Sequence, residues 1–312
     1  MKWDDLRRSQ NVDDRRGQRT GGGFNRMGGG NPLGLLLLLL RGPKWLIIVV
    51  IALMLFGGGN FFGDIFNSGQ GQEPQTTQTQ AQKPGSQVRP TDQEADFMAA
   101  VLGSTEDFWA AQLKSEAGQS YQEPTLVYYQ DLIQTSGCGL GQAQSGPFYC
   151  PPDQKIYLDL SFYRELQEQF HAPGDFAMAY VLAHEVGHHV QNQIGMMTTY
   201  EKYRQGASKS KQNALSVRLE LQADYLAGVW ARYAEEEGLL ESGDLEEALT
   251  AAAAVGDDTI QEEMTGRVVP DSFTHGTAKQ RMAWFKRGYQ YGDIEHGDTF
   301  NINLPEDEAA PK

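Results

Sequence analysis

The spacing of apolar residues separates a long amphipathic region from the polar and apolar segments that precede it. From about residue 94 to residue 303, apolar side chains recur every three or four positions, which is typical of helices. The pattern predicts helices at residues 94–116, 161–170, 175–194, 213–234, 244–264 and 277–291. Short strands are predicted at residues 125–131 and 155–160. The region therefore indicates one α+β, mainly α domain with a small sheet, long enough for its own core.

An uncharged apolar run, residues 45–62, precedes this region. Its length is close to the roughly 20 residues that cross a bilayer as a helix, so a single transmembrane helix is predicted there. A cleaved signal peptide is the alternative interpretation. Against it, residues 1–44 precede the apolar core, and no clear small-x-small cleavage site follows it.

The distribution of charge orients this predicted span. Residues 1–44 contain nine Lys or Arg against four Asp, whereas the whole chain has a net charge of -15. Because basic flanks stay in the cytoplasm, we expect a single-pass inner-membrane protein with a cytoplasmic amino terminus and a periplasmic or extracellular domain. The acidic balance of that domain argues against a nucleic-acid partner.

Composition predicts the remaining segments. Residues 1–44 are expected to form a disordered basic arm in the cytoplasm, because Gly, Arg, Asn and Asp dominate residues 10–34. Residues 63–93, rich in Gln, Thr, Gly, Ser and Pro, are expected to form a flexible linker. The folded domain follows at residues 94–303, and residues 304–312 form an acidic tail.

The chain has two cysteines, Cys138 and Cys150, on either side of a turn-rich segment. In an oxidising compartment they can close a small loop, so we expect a disulfide. Two free thiols are the alternative, should the topology differ. A CxxC zinc pattern is absent from the sequence.

The predicted helix at 175–194 carries the motif HExxH. His184 and His188 are four residues apart, so both imidazoles lie on one helix face and can bind one metal ion. Glu185 lies beside them, where it can take a proton from water attacking a carbonyl. The motif predicts a catalytic Zn2+ site for peptide hydrolysis with Glu185 as general base. A buried helix whose histidines are satisfied by hydrogen bonds is the structural alternative.

A third zinc ligand is predicted on the helix at 213–234. Glu220 and Asp224 lie four apart on this otherwise apolar helix, and buried acids are costly unless a positive group meets them. Glu220 would complete a two-histidine, one-glutamate site. Asp224 would accept the free N–H of a ligand histidine and fix its tautomer. Alternatively, both acids pair with Arg218 or face water.

The other histidines support weaker interpretations. His189 points about 100° away from the metal-binding face, so we expect it to pack or to form hydrogen bonds. His275 precedes the last helix, where it can donate to an oxyanion or cap the helix. His171 and His296 have no neighbours that indicate chemistry.

Residues 156–160 suggest how an extended substrate could bind. A peptide can pair with the free edge of a strand beside the active helix, and this strand is the one that we expect to form that edge. A buried structural strand is the alternative.

Together these residues resemble a known family, the neutral zinc metallopeptidases of bacteria, which are membrane-anchored zincins. The resemblance rests on the following segments: Cys138-Gly with Gly146-Pro-Phe-Tyr-Cys150-Pro, Ile156-Tyr-Leu-Asp, HEVGHH at 184–189, Glu220-Leu-Gln-Ala-Asp224, His275-Gly-Thr, Gln280-Arg281 and Trp284-Phe-Lys-Arg-Gly288. It implies a zincin-like fold and metal-dependent peptidase activity. The HExxH and ExxxD pair is similar to that of glutamate-ligand zincins, including CAAX prenyl-protease-like enzymes. Those enzymes carry a His-Pro motif where this chain has His275-Gly276.

These observations favour a membrane-anchored zinc endopeptidase that acts on peptide or protein substrates. A non-catalytic zinc-fold binding or scaffold protein of the cell envelope is the alternative, although such a protein would not need Glu185. Metal-dependent hydrolysis of a non-peptide amide or ester would use the same atoms. Apart from a substrate and the membrane, the sequence identifies no partner.

Overall fold

Helices form most of the fold. The computed structural model describes residues 1–17, 90–143 and 146–300. Its helices are α1 (Pro90–Glu116), α2 (Ser161–Glu168), α3 (Asp175–Gln193), α4 (Met196–Arg204), α5 (Lys209–Glu236), α6 (Asp244–Ala254), α7 (Asp257–Thr265) and α8 (Ala278–Tyr291). Short 3-10 turns lie at Pro270–Ser272 and Glu295–Gly297.

The strands are short and form two sheets. They are β1 (Val12–Asp14), β2 (Thr125–Tyr129), β3 (Leu132–Gln134), β4 (Leu140–Gln142), β5 (Phe148–Cys150) and β6 (Lys155–Asp159). The larger sheet has the order β1-β2-β6-β5, with β5 antiparallel to β6 and the other neighbours parallel. The smaller sheet is the β3–β4 hairpin. The expected mainly α, α+β fold with a small sheet is confirmed.

Helix α5 lies against α3 and α8 in the centre of the fold. Its contact with α8 is closest at two glycines, because a Cβ atom on Gly228 would lie 2.0 Å from the Phe285 carbonyl oxygen. A Cβ atom on Gly288 would lie 1.8 Å from the Tyr225 carbonyl oxygen. Backbone therefore meets backbone here, and any larger residue would force α5 and α8 apart.

Two predicted elements differ from the structure. The helix expected at 244–264 is two helices, α6 and α7, because Asp257 and Asp258 at the break bind the backbone of the loop before α8. The strand expected to form the free edge, β6, lies between β2 and β5 and is mostly buried. The buried alternative is therefore right, and β5 is the edge strand on this side of the described sheet.

The expected disulfide is confirmed. Cys138 and Cys150 are bonded, with their Cα atoms 5.9 Å apart. The bond joins the connection between β3 and β4 to the end of β5. It therefore fixes the hairpin beside the edge strand.

None of the helices in the described part of the chain is both long and apolar enough to span a bilayer. The apolar run at 45–62 lies outside the described residues, as do the predicted linker up to residue 89 and the tail at 304–312. Residues 90–93, expected to belong to the linker, are the first residues of α1.

Residues 1–17, here called the amino-terminal segment, are packed against the domain. The expectation of a disordered arm is therefore wrong for these residues, while residues 18–44 lie outside the described part. Strand β1 pairs with β2 in a parallel register that places Val12 opposite Leu126. The Lys2 N–H donates to the Leu239 carbonyl, and the Met1 amino group contacts Asp175 and Asp244. Burial lowers the pKa of that amino group, but hydrogen bonds to Glu241 and Asp175 outweigh this effect and raise it to about 10.

Helix α1 holds the amino-terminal segment through a buried carboxylate. The Glu106 side chain is fully buried and accepts hydrogen bonds from Arg7 Nη2 at 2.9 Å, Ser9 Oγ at 2.6 Å and Asn11 Nδ2 at 2.9 Å. A Cβ atom on Gly103, one turn earlier, would lie 2.4 Å from the Arg7 carbonyl oxygen. The Glu106 carboxylate therefore binds polar groups of the amino-terminal segment, and the missing side chain of Gly103 lets the backbone of that segment lie directly against α1.

Removing residues 2–17 should lower the free energy of unfolding by about 3–5 kcal/mol, because Glu106 would stay buried without its partners. Urea unfolding of the full and shortened chains would measure the difference. Glu106→Leu provides the matched control: it should destabilise the full chain but restore part of the loss in the shortened chain. Equal unfolding midpoints for the full and shortened chains would contradict this account of the segment.

Candidate metal centre

Three candidate ligand atoms converge between α3 and α5. His184 and His188 lie one turn apart on α3, and Glu220 faces them from α5. Glu220 Oε2 lies 3.1 Å from His184 Nε2 and 3.5 Å from His188 Nε2. All three ligand atoms lie within 4.8 Å of one another. The structure therefore brings together the three side chains that the sequence selects as ligands.

The second nitrogen of each histidine has an acceptor. His184 Nδ1 lies 2.8 Å from Asp224 Oδ1, and His188 Nδ1 lies 2.8 Å from Gln191 Oε1. Each contact leaves the Nε2 atom directed at Glu220. Such partners fix the tautomer and the orientation of a ligand histidine. Asp224 thus occupies the position expected from the sequence. The role of Gln191 as the acceptor of His188 was not predicted and is seen only in the structure.

Gln191 is itself held in place. Its Nε2 donates to the Leu219 carbonyl at 2.7 Å and to Gln222 Oε1 at 3.1 Å. Gln191 follows His188 by three residues, so helix spacing alone places it on the same face of α3. That spacing is the one sequence signal that could have identified it, and it is weak for an uncharged residue.

The cation that meets Asp224 comes from α8. Arg281 donates from Nε to Asp224 Oδ2 at 2.8 Å and from Nη2 to Oδ1 at 2.9 Å. Tyr180 donates its hydroxyl to the same carboxylate at 2.6 Å. Arg218, the alternative partner considered from sequence, instead donates to the Thr299 carbonyl. Arg281 was not identified from the sequence, because it lies 57 positions from Asp224.

The buried carboxylates give the candidate metal centre a negative electrostatic potential. Burial raises the pKa of Asp224, but the charges of Arg281 and His184 outweigh it and lower the value to about 2. Burial lowers the pKa of His184, yet Asp224 and Glu220 raise it to about 10. The ionised acids therefore favour a positive charge at the point where the ligand atoms meet, which suits a metal cation.

Glu185 lies on the same helix and is buried. Burial raises the pKa of its carboxyl group, against the charges of His184 and His188 and a hydrogen bond from the Tyr149 backbone. Tyr149 belongs to β5, so the edge strand lies near this carboxylate. A carboxylate with a raised pKa can accept and return a proton close to neutral pH.

His189 packs beside the metal centre, and neither of its ring nitrogens belongs to the group of candidate ligand atoms. Its Nδ1 lies 3.0 Å from the Tyr149 hydroxyl, and its Nε2 lies 2.5 Å from the Gln122 carbonyl oxygen. Burial lowers the pKa of His189 to about 4, so it is neutral at physiological pH. The expected packing and hydrogen-bonding role of His189 is confirmed.

The remaining histidines lie outside the ligand group. His275 lies in the loop before α8, whose cap is Thr277 in a capping box with Gln280, so the capping interpretation of His275 is wrong. His296 pairs with Asp293 at 2.7 Å. His171 adopts a left-handed backbone conformation with φ of 51°.

The family to which the chain belongs agrees with this geometry. A family model described as "Putative neutral zinc metallopeptidase" matches residues 1–300. The "Uncharacterized protein YpfJ" of Escherichia coli (strain K12) is 44% identical over 311 residues, covering 97% of this chain and 100% of its own length. The "Uncharacterized protein Rv2575" of Mycobacterium tuberculosis (strain ATCC 25618 / H37Rv) is 46% identical over 192 residues, covering 58% of this chain and 64% of its own length. No solved structure matches. The chain is therefore a member of the family of putative neutral zinc metallopeptidases.

Proposed function

We propose that this protein is a membrane-anchored, zinc-dependent endopeptidase. The observation that carries the proposal is the convergence of His184 Nε2, His188 Nε2 and Glu220 Oε2 beside the buried carboxylate of Glu185. Membership of a zinc metallopeptidase family supports the same class of reaction.

The residues present fit a catalytic zinc ion. Two imidazole nitrogens and one carboxylate oxygen form a three-ligand set that leaves a position open for water or substrate. Asp224 and Gln191 hold the two imidazoles so that both Nε2 atoms face the ion. Zinc at this position would polarise the scissile carbonyl and lower the pKa of a water molecule to about 7.

Glu185 provides the proton transfer. Its carboxylate accepts a proton from the attacking water and returns it to the leaving amine, so one group acts first as base and then as acid. The burial that raises its pKa brings that value closer to the working pH.

The substrate is proposed to be an extended peptide that binds along β5. Among the described strands, β5 pairs with β6 alone, so its other edge has no strand partner and could accept one. Main-chain hydrogen bonds to such an edge bind a peptide independently of its amino-acid sequence. Because Tyr149 lies on β5 and its backbone is close enough to Glu185 to affect the pKa of that carboxyl group, a paired peptide would pass near the general base.

The localisation remains a prediction. The apolar run at 45–62 supports membrane anchoring, and the Cys138–Cys150 disulfide supports an oxidising compartment such as the periplasm. The basic arm predicts a cytoplasmic amino terminus. The packing of residues 1–17 against the domain argues against an amino terminus and a domain on opposite sides of the bilayer.

Glu185→Gln should abolish turnover while preserving the metal site. The amide keeps the size of the side chain but cannot accept a proton, so cleavage of a peptide library should fall by at least about 100-fold with zinc content unchanged. Cleavage assays and metal analysis of the two proteins would measure this. If the zinc-loaded wild-type protein cleaves nothing that Glu185→Gln leaves intact, the alternative of a non-catalytic scaffold protein replaces the proposal.

Asp224→Asn should weaken zinc binding roughly 10- to 100-fold, because His184 loses its charged acceptor. The same change leaves Arg281 buried without its counter-charge, so the protein should also lose about 3–5 kcal/mol of stability. Chelator competition and urea unfolding separate the two effects.

A double variant, Asp224→Asn with Arg281→Met, provides the control for this prediction. It should recover stability but not zinc affinity, because the unpaired cation is gone while the acceptor of His184 is still missing. Recovery of zinc affinity in the double variant would show that Asp224 acts only through folding.

A further inference from the structure

One carboxylate, that of Asp257, holds the whole loop that precedes α8. Asp257 Oδ2 accepts backbone hydrogen bonds from Thr274 at 2.7 Å, from His275 at 2.6 Å and from Gly276 at 3.0 Å. The Asp257 N–H donates in return to the Gly276 carbonyl at 2.9 Å. Asp257 Oδ1 lies 3.2 Å from His275 Nδ1. The loop backbone and the imidazole are therefore fixed by the same side chain.

This loop lies against the part of α5 that carries Glu220. Gly276 has φ of +95°, and a Cβ atom there would lie 3.1 Å from Val217 and 3.3 Å from Leu221. Val217 precedes Glu220 by one helical turn and Leu221 follows it directly, so His275 stands next to the metal-binding face. A larger residue at Gly276 would push His275 away from that face.

The charges of His275 and Glu220 each shift the pKa of the other group. Partial desolvation lowers the pKa of His275, but the hydrogen bond that it donates to Asp257 and the charge of Glu220 raise the pKa above its ordinary value. The charge of His275 also contributes, after that of His188, to lowering the pKa of Glu220. These mutual effects agree with the position that the loop packing gives to His275.

The second nitrogen of His275 is available. Thr274 and Asp257 both contact Nδ1, and within the described residues no hydrogen bond is made to Nε2. The side chain is 48% exposed, and it is not among the converging ligand atoms. The Nε2–H of a protonated His275 therefore has no protein acceptor among the described residues and is available to a bound substrate.

We propose that His275 donates a hydrogen bond from Nε2 to the carbonyl oxygen of the scissile bond, and that Asp257 is the residue that positions it. This inference rests on the proposed peptidase function. When water attacks the carbonyl carbon, an electron pair moves onto that oxygen, and His275 stabilises the negative charge while keeping its proton. Donors of this kind typically contribute about 10²–10³-fold to kcat.

His275→Ala tests the proposal. It should lower kcat by about 10²–10³-fold with little change in KM, because the donor acts on the transition state. Affinity for a phosphinic peptide, which imitates the tetrahedral state, should fall by a similar factor, while affinity for an unreactive substrate-like peptide and the zinc content should not change. The direct readouts are inhibitor binding and metal analysis, in addition to turnover.

Asp257→Asn and a matched control complete this test. Asp257→Asn should cause a smaller loss than His275→Ala, and the double variant should be no worse than His275→Ala, since Asp257 acts through His275. His296→Ala provides the control because His296 forms a similar half-exposed pair with Asp293 outside the ligand group, and it should change nothing. Urea unfolding excludes a loss caused by misfolding.

The outcomes separate this inference from the proposed function. Unchanged kcat and unchanged phosphinic peptide affinity in His275→Ala would overturn the role of His275, provided that Glu185→Gln still abolishes cleavage. If the wild-type protein cleaves no peptide, the proposed function fails first.

Independently of the metal centre, the pairing of the amino-terminal segment with the domain restricts how the protein can be arranged across a membrane. Strand β1 pairs with β2, and β2 pairs with β6, so residues 12–14 and the domain share one sheet. The segment also holds Glu106 of α1. Hydrogen-bonded strands cannot lie on opposite faces of a bilayer. We infer that residues 1–17 and the metal centre lie on the same side of the membrane, and this arrangement replaces the predicted single-pass topology, which would put them on opposite sides.

Single engineered cysteines can test this arrangement, because the two native cysteines are paired. Gln10→Cys reports on the segment and Lys209→Cys on the domain, and both positions are exposed. A membrane-impermeant maleimide added to intact cells should label either both engineered cysteines or neither of them. Labelling in lysed cells is the control that both cysteines can react. Labelling of both sites, or protection of both until lysis, supports the inference, and the second result also places the domain in the cytoplasm. Labelling of one site alone would overturn it.

Discussion

The rest of the site depends on one buried charge, that of Asp224. A buried carboxylate costs several kcal/mol unless other groups compensate it, and here the compensation comes from two helices. Arg281 reaches it from α8, while His184 and Tyr180 reach it from α3. Since Asp224 itself lies on α5, a single carboxylate links three helices. The same register that satisfies Asp224 also places His184 opposite Glu220.

Helices α5 and α8 also approach each other closely. Arg281 on α8 forms two hydrogen bonds to Asp224 on α5, and the two helices meet backbone to backbone. Gly228 and Gly288 permit this because each faces a backbone carbonyl of the other helix. The polar network and the glycine contact therefore depend on each other, and a change at either one would disturb the ligand geometry.

Sequence reasoning found the residues whose spacing along a helix is informative. His184 with His188, and Glu220 with Asp224, are four apart, and that spacing fixes which face each pair occupies. Arg281 and Asp257 were missed because their partners belong to other segments, and no local period connects them. The edge strand β5 has three residues, too few for an alternating pattern to be recognised. The amino-terminal segment was misjudged because its few apolar side chains show no regular period, and the polar contacts to Glu106 join residues far apart in the chain.

The position of the amino-terminal segment also affects the order in which the protein can fold. During synthesis this segment leaves the ribosome before the domain on which it docks, since its strand partner includes Leu126 and the Lys2 backbone binds the carbonyl of Leu239. Contacts so distant along the chain form late, and long-range pairing slows folding. Until the segment docks, the side of β2 that faces β1 is an unpaired strand edge, open to proteases and to other chains. The amino-terminal segment therefore completes the sheet only after its partners, which come later in the chain, have been made.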